Sequence, residues 1–173
     1  MPSVRTANNP PPGLSPAPVR RGFLLAVVAR FAYGPGMGVK ISCDYLGDLR
    51  VRAKHGPSGV ELITDAPVDN QGKGESFSPT DLAATALASC ILTILGIQAR
   101  GLGLDFRGMR IEVEKHMTAQ PPRRIAKLDV AIHMPAGIAE ELRPRLMRAA
   151  EACPVKQSLH PETEIALDWS WGA

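Results

Sequence analysis

The stretch Ser78-Pro79-Thr80-Asp81-Leu82-Ala83-Ala84-Thr85-Ala86-Leu87-Ala88-Ser89-Cys90-Ile91-Leu92-Thr93-Ile94-Leu95 constrains this chain more than any other. Ser78 is placed to cap a helix. Pro79 fits the first helical position, where no backbone N–H is missed, and Asp81 three residues after the cap completes a capping-box pattern. Leu82, Ala83, Ala86, Leu87, Cys90, Ile91, Ile94 and Leu95 then recur at three- and four-residue intervals, which predicts an apolar helical face with Cys90 in its middle. The other positions are mostly Ala, Ser and Thr, small rather than charged, as in a helix packed on several sides. The helix is predicted from Pro79 to about Arg100, with Gly101-Leu102-Gly103 as its stop. Cys90 lies about twelve residues past the cap, roughly 18 Å along the axis at ~1.5 Å per residue. The helix N-terminus is too distant to activate that thiol, so activation needs a cation from elsewhere in the fold.

A length of 173 residues with 45% hydrophobic and 21% charged content suits one domain with a real core. No run of ~18 or more consecutive apolar residues occurs, so a soluble, cytoplasmic protein without a membrane partner is expected. The net charge is +3, and the Lys and Arg are spread without interleaved aromatics, which argues against nucleic acid as a partner. Cys43, Cys90 and Cys153 make no CxxC, and His55, His116, His133 and His160 lack ligand spacing. Neither a metal nor a bound cofactor is expected, and the odd cysteine count fits a reducing compartment.

Residues 1–36 differ from the rest. Pro10-Pro11-Pro12-Gly13-Leu14-Ser15-Pro16-Ala17-Pro18 cannot sustain helix or sheet and reads as a disordered or extended tail. Arg20-Arg21 before a short apolar run resembles a twin-arginine export signal only weakly, because Arg30 interrupts the run and no cleavage site is evident. Residues 37–173 are read as a single domain. Lys40 to Tyr45, Arg50 to His55 and Val60 to Asp65 predict three short strands in an antiparallel meander, with Leu46-Gly47-Asp48 and Gly56-Pro57-Ser58-Gly59 as turns. Met109 to His116 and Ile125 to Met134 alternate with period two, and Leu128, Val130, Ile132 and Met134 are expected to face inward. A second helix is predicted within Ile138 to Ala152, ended by Cys153-Pro154, and Glu164 to Trp171 reads as a last strand.

Taken alone, a Cys on an apolar helix is more often a small core residue than a nucleophile, and a Cys before proline at a helix end is usually structural. Cys43 is expected to pack in the core or within its strand. Arg50, Arg52 and Lys54 share one strand face, which is either solvated or offers an arginine to the thiol.

Taken together, Ser78-Pro79-x-Asp81-Leu82 with Ala88-Ser89-Cys90, and Ala149-Ala150-Glu151-Ala152-Cys153-Pro154-Val155 with Leu159, resemble the OsmC/Ohr family of osmotically inducible and organic hydroperoxide resistance proteins. The turn His55-Gly56-Pro57-Ser58-Gly59 and Phe77-Ser78-Pro79-Thr80-Asp81-Leu82 are similar to its OsmC-like branch, and the resemblance spans roughly Met37 to Trp171. It implies an α+β fold of antiparallel sheets wrapped around two central helices, in an intertwined homodimer with active sites at the subunit boundary. It further implies a thiol peroxidase without metal or cofactor. Cys90 would be oxidised by an organic hydroperoxide to a sulfenic acid, Cys153 would resolve it as a disulfide, and an external dithiol would reduce that disulfide. The family's peroxidases carry a glutamate after the proline of the helix-start motif, where this chain has Thr80. Glu75 is the candidate replacement, with Arg50 or Arg52 as the cation. The alternatives are a non-catalytic relative holding a small apolar ligand in the interface pocket, and a different thiol chemistry such as thioester or disulfide exchange.

Overall fold

A computed structural model describes residues 38–172, and the compact unit begins at Lys40. The Pro-rich run, the paired arginines and the expected boundary at residue 36 lie outside the described residues. The predicted helix start forms as read. In α1 (Pro79–Leu102) the Ser78 hydroxyl accepts the Asp81 N–H at 3.1 Å and the Asp81 carboxylate accepts the Ser78 N–H at 2.7 Å. Two backbone donors that a helix start leaves unpaired are thereby satisfied. The helix ends on Gly103 in the left-handed region (φ 67°), a conformation that favours glycine.

Buried residues of α1 form one stripe: Ala84, Leu87, Ile91, Leu95 and Ala99. Cys90 borders this stripe rather than standing in its middle, and is half-buried. The apolar pattern was too broad to place it, because Ala83, Ala86 and Ile94 look inward by composition yet stay partly exposed. By length and composition alone α1 could cross a membrane: its most apolar window has a mean hydropathy of 1.9, of which 28% is buried.

The first sheet is the expected meander of β1 (Ile41–Gly47), β2 (Arg50–His55) and β3 (Glu61–Thr64), antiparallel throughout. A register shift falls between Tyr45 and Gly47, and the turn after it holds Asp48 and Leu49 at positive φ. Ile41, Cys43 and Tyr45 lie opposite His55, Ala53 and Val51, and Leu62 continues the row on β3. Ile41, Tyr45 and Leu62 are nevertheless exposed. Cys43 is exposed too, which corrects the expectation that it packs in the core or within its strand, because none of the described residues covers that face.

The second sheet is β4 (Arg110–Met117), β5 (Ile125–Met134) and β6 (Glu164–Trp171), in that order. Leu128, Val130, Ile132 and Met134 of β5 are buried as expected, and α1 packs on β4 and β5. The β5–β6 pair is parallel, so this sheet is mixed rather than wholly antiparallel. After β5 the chain passes through α2 (Arg143–Glu151) and α3 (Pro154–Ser158) before re-entering the sheet, the long crossover that a parallel pair requires. The second helix starts later than Ile138: Glu140–Leu142 is a 3-10 turn, and Pro144 sits in the first turn of α2, where its missing N–H costs nothing. Both α2 and α3 pack on α1.

Candidate functional site

Cys153 follows α2 and caps the start of α3, because Pro154 forces the residue before it out of the helical region. Its N–H bonds the Ala150 carbonyl at 3.1 Å. The side chain is fully buried beside Leu146 and Ala150, and it meets the Cys90 thiol coming from α1. Burial raises the Cys153 pKa above that of an ordinary thiol, and the contact with Cys90 adds to the shift. Backbone N–H groups of Lys156 and Val155 bear on the same sulfur and oppose the rise without overcoming it. All three cysteines are free thiols. Of the pair, only Cys90 retains access to the outside.

A second cluster forms where β2, the end of β3 and the loop before α1 converge. The Arg50 guanidinium pairs with the Glu75 carboxylate and stands 3.7 Å from Asp65. Asp65 is 1% exposed, and its carboxylate accepts the Glu75 N–H at 2.9 Å while its own N–H bonds the Phe77 carbonyl at 3.1 Å. Asp65 is thus a tie holding Glu75 against Arg50. The Glu75 N–H is the largest cause holding the Asp65 carboxyl below the usual carboxylate range; burial opposes it and Arg50 assists. The bond to Glu75 likewise raises the Arg50 pKa. Arg52 is exposed and has no ion-pair partner among the described residues. The fold therefore brings Arg50 and Glu75 together and leaves Arg52 apart. Neither Arg50 nor Glu75 makes a hydrogen bond to a thiol of its own chain. Two buried atoms of this cluster, Arg50 Nε and Asp65 Oδ1, have no hydrogen-bond partner among the described residues.

Thr80 has a different task. Its hydroxyl accepts the Lys115 ammonium at 2.7 Å, and the same ammonium lies 2.6 Å from Asp81 and 3.4 Å from the Ser78 hydroxyl. Lys115 is 15% exposed and locks the helix start to β4. Sequence reasoning passed over both Lys115 and Asp65. Lys115 had a signal, since it shares the inward parity of Ile111 and Val113 on β4 and is the charged residue out of step. Asp65 had none, because its role depends on three distant segments meeting. A cleft of about 520 Å³ opens between α1 and β4, lined by Phe77, Ala84, Thr85, Ile111, Val113 and Lys115. Neither thiol lines it. Among the described residues no cluster of side chains is arranged to hold a metal.

An α+β chain with two three-stranded sheets, a long apolar helix and two thiols meeting at its flank defines a narrow class. The family model described as OsmC-like protein matches residues 72–168, and the chain belongs to the OsmC family. A solved Psychrobacter arcticus protein, named for osmotic stress induction and detoxification response, is 46% identical over 80% of this chain and 99% of its own, with a TM-score of 0.73. An organic hydroperoxide resistance protein OsmC from Legionella pneumophila shares the fold at 19% identity, covering 79% of this chain and 99% of its own (TM-score 0.61). An organic hydroperoxide resistance protein from Elizabethkingia anophelis does so at 14% identity, covering 78% and 96% (TM-score 0.63). No curated protein matches the sequence.

Proposed function

We propose that this protein is a thiol-dependent peroxidase that reduces organic hydroperoxides, and the meeting of the Cys90 and Cys153 thiols carries the reading. The Cys90 thiolate attacks the distal oxygen of the hydroperoxide, the O–O bond breaks, and the alkoxide leaves to take a proton as the alcohol. Cys90 is left as a sulfenic acid. Cys153 attacks that sulfur, water departs, and a Cys90–Cys153 disulfide forms. An external dithiol restores both thiols and leaves as its own disulfide. A reducing, cytoplasmic setting suits this cycle.

The cation that favours the Cys90 thiolate is Arg50, aligned by Glu75 and Asp65, and it acts across a homodimer. Three observations support a second chain. The first sheet exposes Ile41, Tyr45 and Leu62, only 28% of the apolar window of α1 is buried, and buried polar atoms of the Arg50–Asp65 cluster lack partners among the described residues. An apolar face of this kind marks an interface in a chain without another use for it. The α1–β4 cleft favours a second reading, that of a binder of small apolar ligands, in which the thiols only pack.

The test is to mix fully reduced protein with a few equivalents of an organic hydroperoxide, count free thiols and map the disulfide by mass spectrometry. Rapid loss of two thiols into a Cys90–Cys153 link, abolished in Cys90→Ser, is expected. Survival of all three thiols in excess peroxide leaves the binding reading.

A further inference from the structure

We propose that the reductant attacks the Cys90 sulfur of the oxidised protein and that Cys153 is the leaving thiolate, an assignment that rests on the peroxidase cycle above. Thiol–disulfide exchange requires the incoming thiolate to reach one sulfur while the other departs. Cys153 is 0% exposed and enclosed with Leu146 and Ala150 under α1, so an incoming thiol has no approach to it. Cys90 borders the buried stripe of α1 next to the exposed Ser89 and Thr93. The path that admits a hydroperoxide to its sulfur also admits a thiol.

Leaving-group quality works the other way, because burial raises the Cys153 pKa above that of an ordinary thiol and makes it a poorer leaving group. The magnitudes decide between the two effects. One pKa unit on a thiol alters an exchange rate by only roughly threefold at a Brønsted coefficient near 0.5. Exposing a fully buried sulfur instead requires a minor open state, populated at ~0.1–10%, which costs ten- to a thousandfold. Access therefore prevails. The N–H groups of Lys156 and Val155 directed at Cys153 also receive part of the charge as it departs.

In the step itself, the reductant thiolate bonds Cys90 Sγ, the Cys90–Cys153 bond breaks, and its electron pair goes to Cys153 Sγ, which then takes a proton. The second thiol of the dithiol attacks the first reductant sulfur and releases Cys90 as thiolate. The dithiol leaves oxidised.

The experiment uses the full chain with Cys43→Ser, since Cys43 is exposed and would react on its own account. The disulfide is formed in two arms, one with an organic hydroperoxide and one with diamide. Each is exposed briefly to 2-mercaptoethanol, quenched in acid, alkylated with N-ethylmaleimide and mapped by mass spectrometry. The mercaptoethanol adduct should sit on Cys90 and the maleimide on Cys153, roughly tenfold or more over the reverse. Equal labelling, or the adduct mainly on Cys153, overturns the assignment. A disulfide from diamide but none from hydroperoxide defeats the peroxidase reading alone, while the attacked sulfur is still read from the diamide arm. No disulfide in either arm overturns both.

Discussion

On β5, Leu128, Val130 and Ile132 are fully buried against α1, whereas on the first sheet the alternating apolar residues Ile41, Tyr45 and Leu62 stand 63%, 68% and 43% exposed. Both sheets are built from the same period-two pattern, yet among the described residues only the second finds its complement. The first sheet carries Arg50, the second sits over the helix with the thiols, and the chain makes no bond between the two groups. A half-finished sheet that bears Arg50 is what the proposed active site, shared between two copies, requires.

The same charge placed in each sheet separates the two cases most sharply. Leu128→Asp buries an unpaired carboxylate in the core and should cost more than ~4 kcal/mol, enough to abolish the cooperative thermal transition. Leu62→Asp should leave a folded chain but convert a dimer to a monomer in sedimentation; an unchanged dimer would show that the exposed face has some other use. Activity should fall with the dimer.

Asp65→Asn keeps the shape of the tie but removes its charge. At neutral pH peroxidase kcat/KM should drop roughly ten- to a hundredfold through misplacement of Arg50, and the melting temperature should fall with the loss of the carboxylate's contribution. The pH dependence has a definite sign. Because the folded Asp65 carboxyl lies below its ordinary value of 3.8, its contribution to stability is complete above that pH and is lost as the pH falls through the folded value. Asp65→Asn should flatten the acid limb of the stability–pH curve, and an unaltered limb would contradict the assignment.

Thiol exposure gives a gentler comparison within one molecule. Iodoacetamide at neutral pH should label exposed Cys43 readily and buried Cys153 last, since burial both hides the latter and keeps it protonated. Early labelling of Cys153 would mean that its end of α2 opens freely. The smallest effect is expected from Ser78→Ala, which removes the cap of α1 and should cost ~1 kcal/mol, about 2–4 °C in melting temperature.

Local chemistry made much of this fold legible. The α1 start was readable because Ser78, Pro79 and Asp81 are neighbours in sequence, and the inward row of β5 because its alternation is unbroken. The parallel pairing of β6 was not, since nothing in Glu164 to Trp171 specifies the direction of its partner. Cys43 was misplaced because its strand face alternates like a packed one, whereas no described residue covers it. The two thiols stand out through motif and resemblance, whereas the sequence offers Glu75 and either Arg50 or Arg52 only as candidates, because strand parity does not decide between the two arginines. Asp65 was missed because its three contacts belong to segments that only the folded chain unites.

The measurement that bears most directly on the proposed shared site is subunit complementation. Cys90→Ser and Arg50→Ala proteins, each expected to be inactive alone, are dissociated, mixed in equal amounts and reassembled. If Arg50 serves the thiol of the other subunit, each mixed dimer holds one intact site, and about a quarter of the wild-type peroxidase activity should return. If Arg50 serves the thiol of its own chain, no intact site can form, and a mixture as inactive as its components would contradict the account.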